Sequence, residues 1–171
     1  MPASDQGSPN GRYTLVPRTL IFLTRGDKLL LLRGAPHKRL WAGLYNGLGG
    51  HIEQGEDVLG SAQRELAEET GLAAVDLRLC GVITIDTGAA PGIGIYVLRG
   101  ECLQGEPVAS AEGAAEWVDC RDLPNLPLVE DLHQLLPRLL TMQPGDPPFS
   151  AHYGYDAHGQ LLISFYPPAA G

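Results

Sequence analysis

Gly50-His51-Ile52-Glu53-Gln54-Gly55-Glu56-Asp57-Val58-Leu59-Gly60-Ser61-Ala62-Gln63-Arg64-Glu65-Leu66-Ala67-Glu68-Glu69-Thr70-Gly71-Leu72 divides into a loop, a helix and a stop. Gly50 and Gly55 permit tight or positive-φ turns that larger residues resist. From Val58 onward the pattern turns helical. Leu59, Ala62 and Leu66 recur at three- and four-residue intervals and predict one apolar face. Gly71 stands where a helix C-terminus favours a left-handed residue. Glu65, Glu68 and Glu69 fall at i, i+3 and i+4, so a helix gathers three carboxylates on one side. Such a cluster weakens the helix unless a cation sits among its members, and a hard divalent ion with oxygen ligands suits that place. A solvated acidic face is the plain alternative for an isolated E-x-x-E-E. Arg64 adds a second element, since a guanidinium can hold Glu56 in a bidentate pair and tie the loop to the helix.

Gly50, Glu56, Arg64, Glu65, Leu66, Glu68, Glu69, Gly71 and Leu72 fill every fixed position of the pattern G-x5-E-x7-R-E-U-x-E-E-x-G-U, where U is a bulky apolar residue. The stretch resembles the box of the Nudix (MutT-like) hydrolases, a motif specific for family and silent on substrate. The resemblance implies an α/β (α+β) fold, an α/β/α sandwich around a mixed central β-sheet; spacing by itself supports only α/β or α+β. It also implies hydrolysis of a phosphoanhydride with Mg²⁺ as cofactor and Mn²⁺ as a substitute. Glu65, Glu68 and Glu69 are the implied ligands, with the Gly49 carbonyl beside them. Glu56 either organises the loop or meets the metal through water. A further acid outside the box is expected in this family, and Glu112, five residues before Trp117, is the candidate for extra ligand or general base. A solvent-facing loop charge is the equal alternative for Glu112, and Glu116 is a competitor.

The 171-residue chain is 44% hydrophobic and 19% charged, in keeping with one globular domain. Its net charge of −8 disfavours non-specific binding to nucleic acid or anionic membrane. Cys80, Cys102 and Cys120 are odd in number and far apart. Free thiols in a reducing cytoplasm fit better than disulfides or zinc. Residues 1–12 read as a flexible N-terminal tail without a signal peptide, 13–166 as the domain and 167–171 as a C-terminal tail. No apolar run reaches a membrane span. The expected assembly is a monomer or homodimer acting on a small nucleotide.

Around the box, Tyr13 to Leu23 predicts a strand with a break or an edge at Pro17. Lys28 to Arg33 predicts a second strand, reached through the hairpin turn at Gly26-Asp27. Gly34 to Trp41 is a basic loop holding His37, Lys38 and Arg39; Arg33 just before it, Lys38 or Arg39 either meets phosphate or is plain surface charge. Strands are expected at Val75–Thr87, Ile93–Cys102 and Glu116–Asp119. An amphipathic helix bent at Pro137 is expected over Val129–Met142. A hairpin turns at Asp156-Ala157-His158-Gly159.

Asn46-Gly47-Leu48-Gly49-Gly50-His51 is similar to the W-N-G-F-G-G-K entry of the oxidised-purine nucleoside triphosphatases, with Tyr45 for Trp and His51 for Lys. There the Asn reads the purine, as an amide that both donates and accepts can. Leu128-Val129-Glu130-Asp131 falls where those enzymes carry W-P-D-D, the acidic pair that contacts the base. Glu130 and Asp131 also adjoin a helix start, where negative charge is favoured for its own sake, and Leu128 does not supply the stacking Trp. The implied substrate is 8-oxo-dGTP or a related purine nucleotide. ADP-ribose, dinucleoside polyphosphates and other nucleotide diphosphates are the alternatives within the enzyme class. A non-catalytic nucleotide sensor is the alternative outside it. Messenger-RNA decapping needs a basic RNA path that the net charge opposes.

Overall fold

The apolar runs Leu20–Leu23 and Leu29–Leu32 show no alternation because each feeds two cores. The computed structural model describes residues 12–37, 40–73 and 75–168, with the side chain at 75 left aside. The expected tails at 1–11 and 169–171, and Lys38 and Arg39 of the basic loop, lie outside the described residues. In chain order the elements are β1 (Leu15–Arg25), β2 (Lys28–Gly34), β3 (Tyr45–Asn46), α1 (Val58–Thr70), β4 (Val75–Ile85), β5 (Gly92–Glu101), β6 (Gly113–Asp119), a 3-10 turn (Leu123–Asn125), α2 (Leu132–Thr141), β7 (Phe149–Tyr155) and β8 (Leu161–Tyr166). Eight strands form one mixed sheet in the order β3-β2-β1-β5-β4-β7-β8, with β6 paired to β2. The β1–β5 and β4–β7 pairs are parallel and the others antiparallel. Ile21, Leu23, Leu30 and Leu32 pack with Ala62 and Leu66 of α1. Phe22, Leu29 and Leu31 pack on the other face with Leu132, Leu135, Leu136 and Leu139 of α2. No helix among the described residues is long and apolar enough to cross a membrane.

The sheet splits where the site forms. β1 pairs with β2 only from Leu23 to Arg25 and then departs from it. The segment from Tyr45 to Ile52 fills the fork. Tyr45 and Asn46 pair with β2, while Leu48 and His51 bridge to Ile21 and Arg18 of β1. Gly47 is closely packed here: a Cβ would stand 2.7 Å from Leu20 Cδ1 and 2.8 Å from Phe22 Cζ, so those side-chain ends would have to shift.

Three expectations need correction. β1 does not break at Pro17, and it is an interior strand. The side of Pro17 that lacks an N–H faces the irregular 50–52 stretch, which takes only its carbonyl, through Ile52 N. The ladder to β5 is left whole. Leu59 does not join the buried face of α1: it is 46% exposed, and Val58 packs inward in its place. The helix begins one residue before it, capped by Asp57, whose side chain accepts from Leu59 N and Gly60 N. α2 starts at Leu132, later than Val129, because Val129 N donates to Tyr45 O and holds the preceding residues against β3. Helix α2 runs on through Pro137. All three cysteines are free; Cys80 and Cys102 are buried and Cys120 is half-buried.

Candidate active site

Helix α1 carries its acids on the turns that face the fork. Gly71, left-handed at φ 70°, ends the helix just beyond them, its N–H bonded to Ala67 O. Glu69 is 6% exposed and accepts from Gly49 N at 2.8 Å, which fastens the fork segment to the helix. The Glu65 carboxylate lies so close to Gly50 that a Cβ there would sit 2.5 Å from its oxygen. A side chain at position 50 would therefore displace the Glu65 carboxylate from its place against the backbone.

Arg64 gathers the remaining charges. Its guanidinium donates to both oxygens of Glu56, at 2.7 and 2.9 Å, to Glu65 at 2.9 Å, to Glu68 at 3.2 Å and to His51 O at 3.1 Å. Glu56 also accepts from Glu53 N at 3.0 Å. Arg64 first, and the Glu53 amide second, hold the Glu56 carboxyl down at about 2. The cation that the clustered acids call for is thus supplied in part by the chain itself.

Gly49, Gly50, Glu65, Glu68, Glu69 and Glu112 line one cleft of about 360 Å³, together with His51 and Glu53. Glu112 comes from the loop before β6, so the fold brings it to the helix acids across a long sequence separation. Glu56 is not among the lining residues, and its two oxygens are taken by Arg64. Its place is that of a loop organiser. Glu116 is elsewhere, its carboxylate accepting from Tyr45 OH at 2.7 Å. Glu53, which the motif leaves as a variable position, is an addition that the sequence pattern gives no reason to single out.

The donor set fits a hard divalent cation. Among the described residues no three acids converge into a ready-made cage. Mg²⁺ needs none, because it takes one or two carboxylates and completes its shell with water and substrate phosphate. Glu65, Glu68, Glu69 and Glu112 offer oxygen donors along one wall, and Gly50 keeps backbone close to Glu65.

A narrower cleft of about 130 Å³ continues from Gly49, Glu69 and Glu112 to Trp41, Leu44 and Asn46. The last three also line a third cleft, of about 420 Å³, which holds Glu130 and Asp131. The acids of α1 and the predicted base-reading residues therefore line adjoining clefts that share walls. Asn46 Oδ1 accepts from Gly47 N at 2.8 Å, so its NH₂ is left to donate. Asp131 makes no side-chain capping bond to α2 and its carboxyl joins the groove wall. Burial pushes it up to about 6, and neighbouring Glu130 adds to the effect.

One predicted contact is not brought here. Arg33 stands 5.7 Å over the Tyr45 ring and lines none of the three clefts. Lys38 is outside the described residues. Leu128 is buried in the core on the α2 side. An aromatic ring arrives from another element, since Trp41, 47% exposed with φ 61°, lines both the narrow and the third cleft. Nothing in the order of residues marks Trp41 for this place.

Comparison with known proteins agrees with this geometry. The NUDIX domain family model matches residues 14–139. The chain is 27% identical over 145 residues to the oxidized purine nucleoside triphosphate hydrolase of Mus musculus, covering 84% of this chain and 89% of that protein. It is 32% identical over 124 residues to the NAD-capped RNA hydrolase NudC of Stutzerimonas stutzeri, covering 71% of this chain and 43% of that protein. The fold superposes on the MutT protein of Bacillus halodurans with a TM-score of 0.75 at 24% identity, over 90% of this chain and 99% of the other.

Proposed function

This chain belongs to the NUDIX family, and on that premise we propose that it is a Mg²⁺-dependent pyrophosphohydrolase. The reading is that it cuts a nucleoside triphosphate, 8-oxo-dGTP or another oxidised purine nucleotide, to monophosphate and pyrophosphate. The observation that carries this is the run of adjoining clefts, acidic at Glu65, Glu68, Glu69 and Glu112 and able to hydrogen-bond a base at Asn46, Glu130 and Asp131. A nucleotide has that polarity, phosphates at one end and a flat base at the other.

Glu65, Glu68 and Glu69 would hold the metal, with the Gly49 carbonyl as a further donor and Glu112 as either an extra ligand or the general base. When bound, the ion neutralises the phosphate oxygens and lowers the pKa of a water. The chain's own part is positioning. Arg64 and Glu56 keep the loop on α1, and the Gly49 amide keeps Glu69 turned into the cleft. If Glu112 is the base and not a ligand, its carboxylate oxygen would take the proton of the attacking water. Trp41 provides a flat apolar surface for the base, and Asn46 donates to its edge.

Asn46→Ala is expected to raise KM for the preferred nucleotide about tenfold and to change kcat less, since base contacts act in ground and transition states alike. Unchanged selectivity between oxidised and normal purine triphosphates would remove Asn46 as a base reader. Asp131 gives a pH signature. Its folded pKa lies above the ordinary carboxylate value, so it is neutral below about 6 and accepts fully only above it. A base that presents ring N–H groups therefore binds better at neutral pH, and KM should rise as pH falls from about 7 to about 5. Asp131→Asn should flatten that limb; an identical limb in the variant would assign it to another group.

The direct test is a nucleotide panel with Mg²⁺, run in ¹⁸O-labelled water and scored by product. Label in the monophosphate marks attack at the α-phosphorus, label in pyrophosphate marks attack at the β-phosphorus, and no cleavage of any purine triphosphate refutes the proposal. ADP-ribose and dinucleoside polyphosphates in the same panel test the alternative substrates.

A further inference from the structure

Among the described residues, three buried side-chain polar atoms lack a hydrogen-bond partner, and two of them belong to residues that line the third cleft: Arg18 Nε and Tyr153 Oη. Burial first, and the neighbouring Asp131 carboxylate second, raise the pKa of the Tyr153 hydroxyl. Arg18 sits on β1, an interior strand, where its backbone is pinned by β5 on one side and His51 on the other. Its side chain shares the cleft with Glu130 and Asp131, yet forms no ion pair with either among the described residues. A cation and two acids thus line one cavity without touching. Arg18 Nε is itself covered, while the half-buried side chain lines a ligand-sized cleft; buried donors are almost always paired, so a guanidinium with an unpaired nitrogen beside such a cleft calls for an acceptor from outside.

We infer that Arg18 is a specificity-determining residue, whose guanidinium donates to a carbonyl oxygen on the purine ring and so favours oxo-purine nucleotides over adenine nucleotides. A flat ring placed between Arg18 and the acids meets both needs. Its ring N–H groups face Glu130 and Asp131, and its carbonyl faces Arg18. Guanine-type bases carry both kinds of group, whereas adenine carries no carbonyl at all. Phosphate is the other natural partner of arginine. Here it is disfavoured by position, because Arg18 lines neither the acidic cleft nor the narrow one that joins it to the base end. A rigid strand position also suits base selection, which depends on donors held in fixed places. Arg18 acts in this way only if the groove takes a purine nucleotide, as proposed above.

The test is equilibrium binding of dGMP, 8-oxo-dGMP and dAMP to the full chain without added metal, by calorimetry, beside hydrolysis of the matching triphosphates with Mg²⁺. Arg18→Met keeps the length of the stem and removes every donor. It is expected to weaken both oxo-purine monophosphates by about tenfold or more, with dAMP nearly unchanged. Arg18→Lys keeps the charge without the planar fork and should give an intermediate ratio. If the Met variant is unfolded by circular dichroism, the Lys variant carries the test alone, through a lowered ratio of oxo-purine to adenine binding. An unchanged ratio in the folded variants overturns the assignment, and so does an equal loss for all three nucleotides, which would mark a phosphate or structural role. Wild type that hydrolyses oxo-purine triphosphates alongside either of those results overturns the role of Arg18 alone. Wild type inert toward every purine nucleotide overturns the proposed function with it.

Discussion

Glu68→Gln and Glu69→Gln are each expected to lower kcat by more than about 100-fold while leaving the fold nearly intact. Groups that only support a metal ligand typically change activity 10- to 100-fold, so loss of an inner ligand should cost more. The substitution keeps shape and removes charge. At Glu69 the amide oxygen can still accept from Gly49 N, the bond that now ties the fork segment to α1 at 2.8 Å. Glu68 is the more exposed of the two, its side chain 61% accessible, so its replacement disturbs packing least. Thermal unfolding should shift by no more than about 2 °C in Glu68→Gln, as for other surface changes. Steady-state turnover with Mg²⁺ checks the first statement and calorimetry the second. Wild-type-like kcat in both variants would mean that neither acid serves the chemistry.

Arg64→Lys should have the next largest effect, a fall in kcat/KM of about 10- to 100-fold, the range for groups that orient metal ligands. Lysine keeps the charge but cannot bond both Glu56 oxygens, Glu65, Glu68 and His51 O from one planar fork. The loop that carries Glu53 and Gly50 then loses its fixed seat on the helix. A pH experiment separates this from a simple loss of charge. Glu56 is held at about 2 in the folded chain, below its ordinary value of 4.5. Its contribution to stability is therefore complete above about pH 4.5 and is lost as pH falls toward 2. With lysine at position 64 the folded value moves back up, and acid unfolding followed by circular dichroism should begin at higher pH than in wild type. Coincident acid transitions would show that the clasp does not stabilise the fold.

Most of the acidic half of the groove could be read in the linear order of residues. Helical periodicity places Glu65, Glu68 and Glu69 together, and the same periodicity puts Arg64 within reach of Glu56 through one short loop. These contacts are local, within about two turns of one helix and the loop before it, so spacing suffices to define them. The hairpin of β7 and β8 and the pairing of β1 with β2 were legible for the same reason. Leu59 misled because the three- and four-residue rule tolerates either of two neighbouring stripes, and only the sheet decides which is covered.

The base end was another matter. Asn46 and the pair Glu130-Asp131 come from two separate places in the chain, and they meet because Tyr45 to Ile52 wedges into the fork between β1 and β2 while Val129 hangs from Tyr45 O. Trp41, Arg18 and Tyr153 were invisible until that happened. Whether a lone arginine faces water, phosphate or a base depends on which strands lie beside it. Residue spacing alone thus determined that this chain folds an acidic helix against a glycine-rich loop. The packing of distant strands decided what stands opposite those acids, because contacts closed over long loops leave no periodic trace in the order of residues.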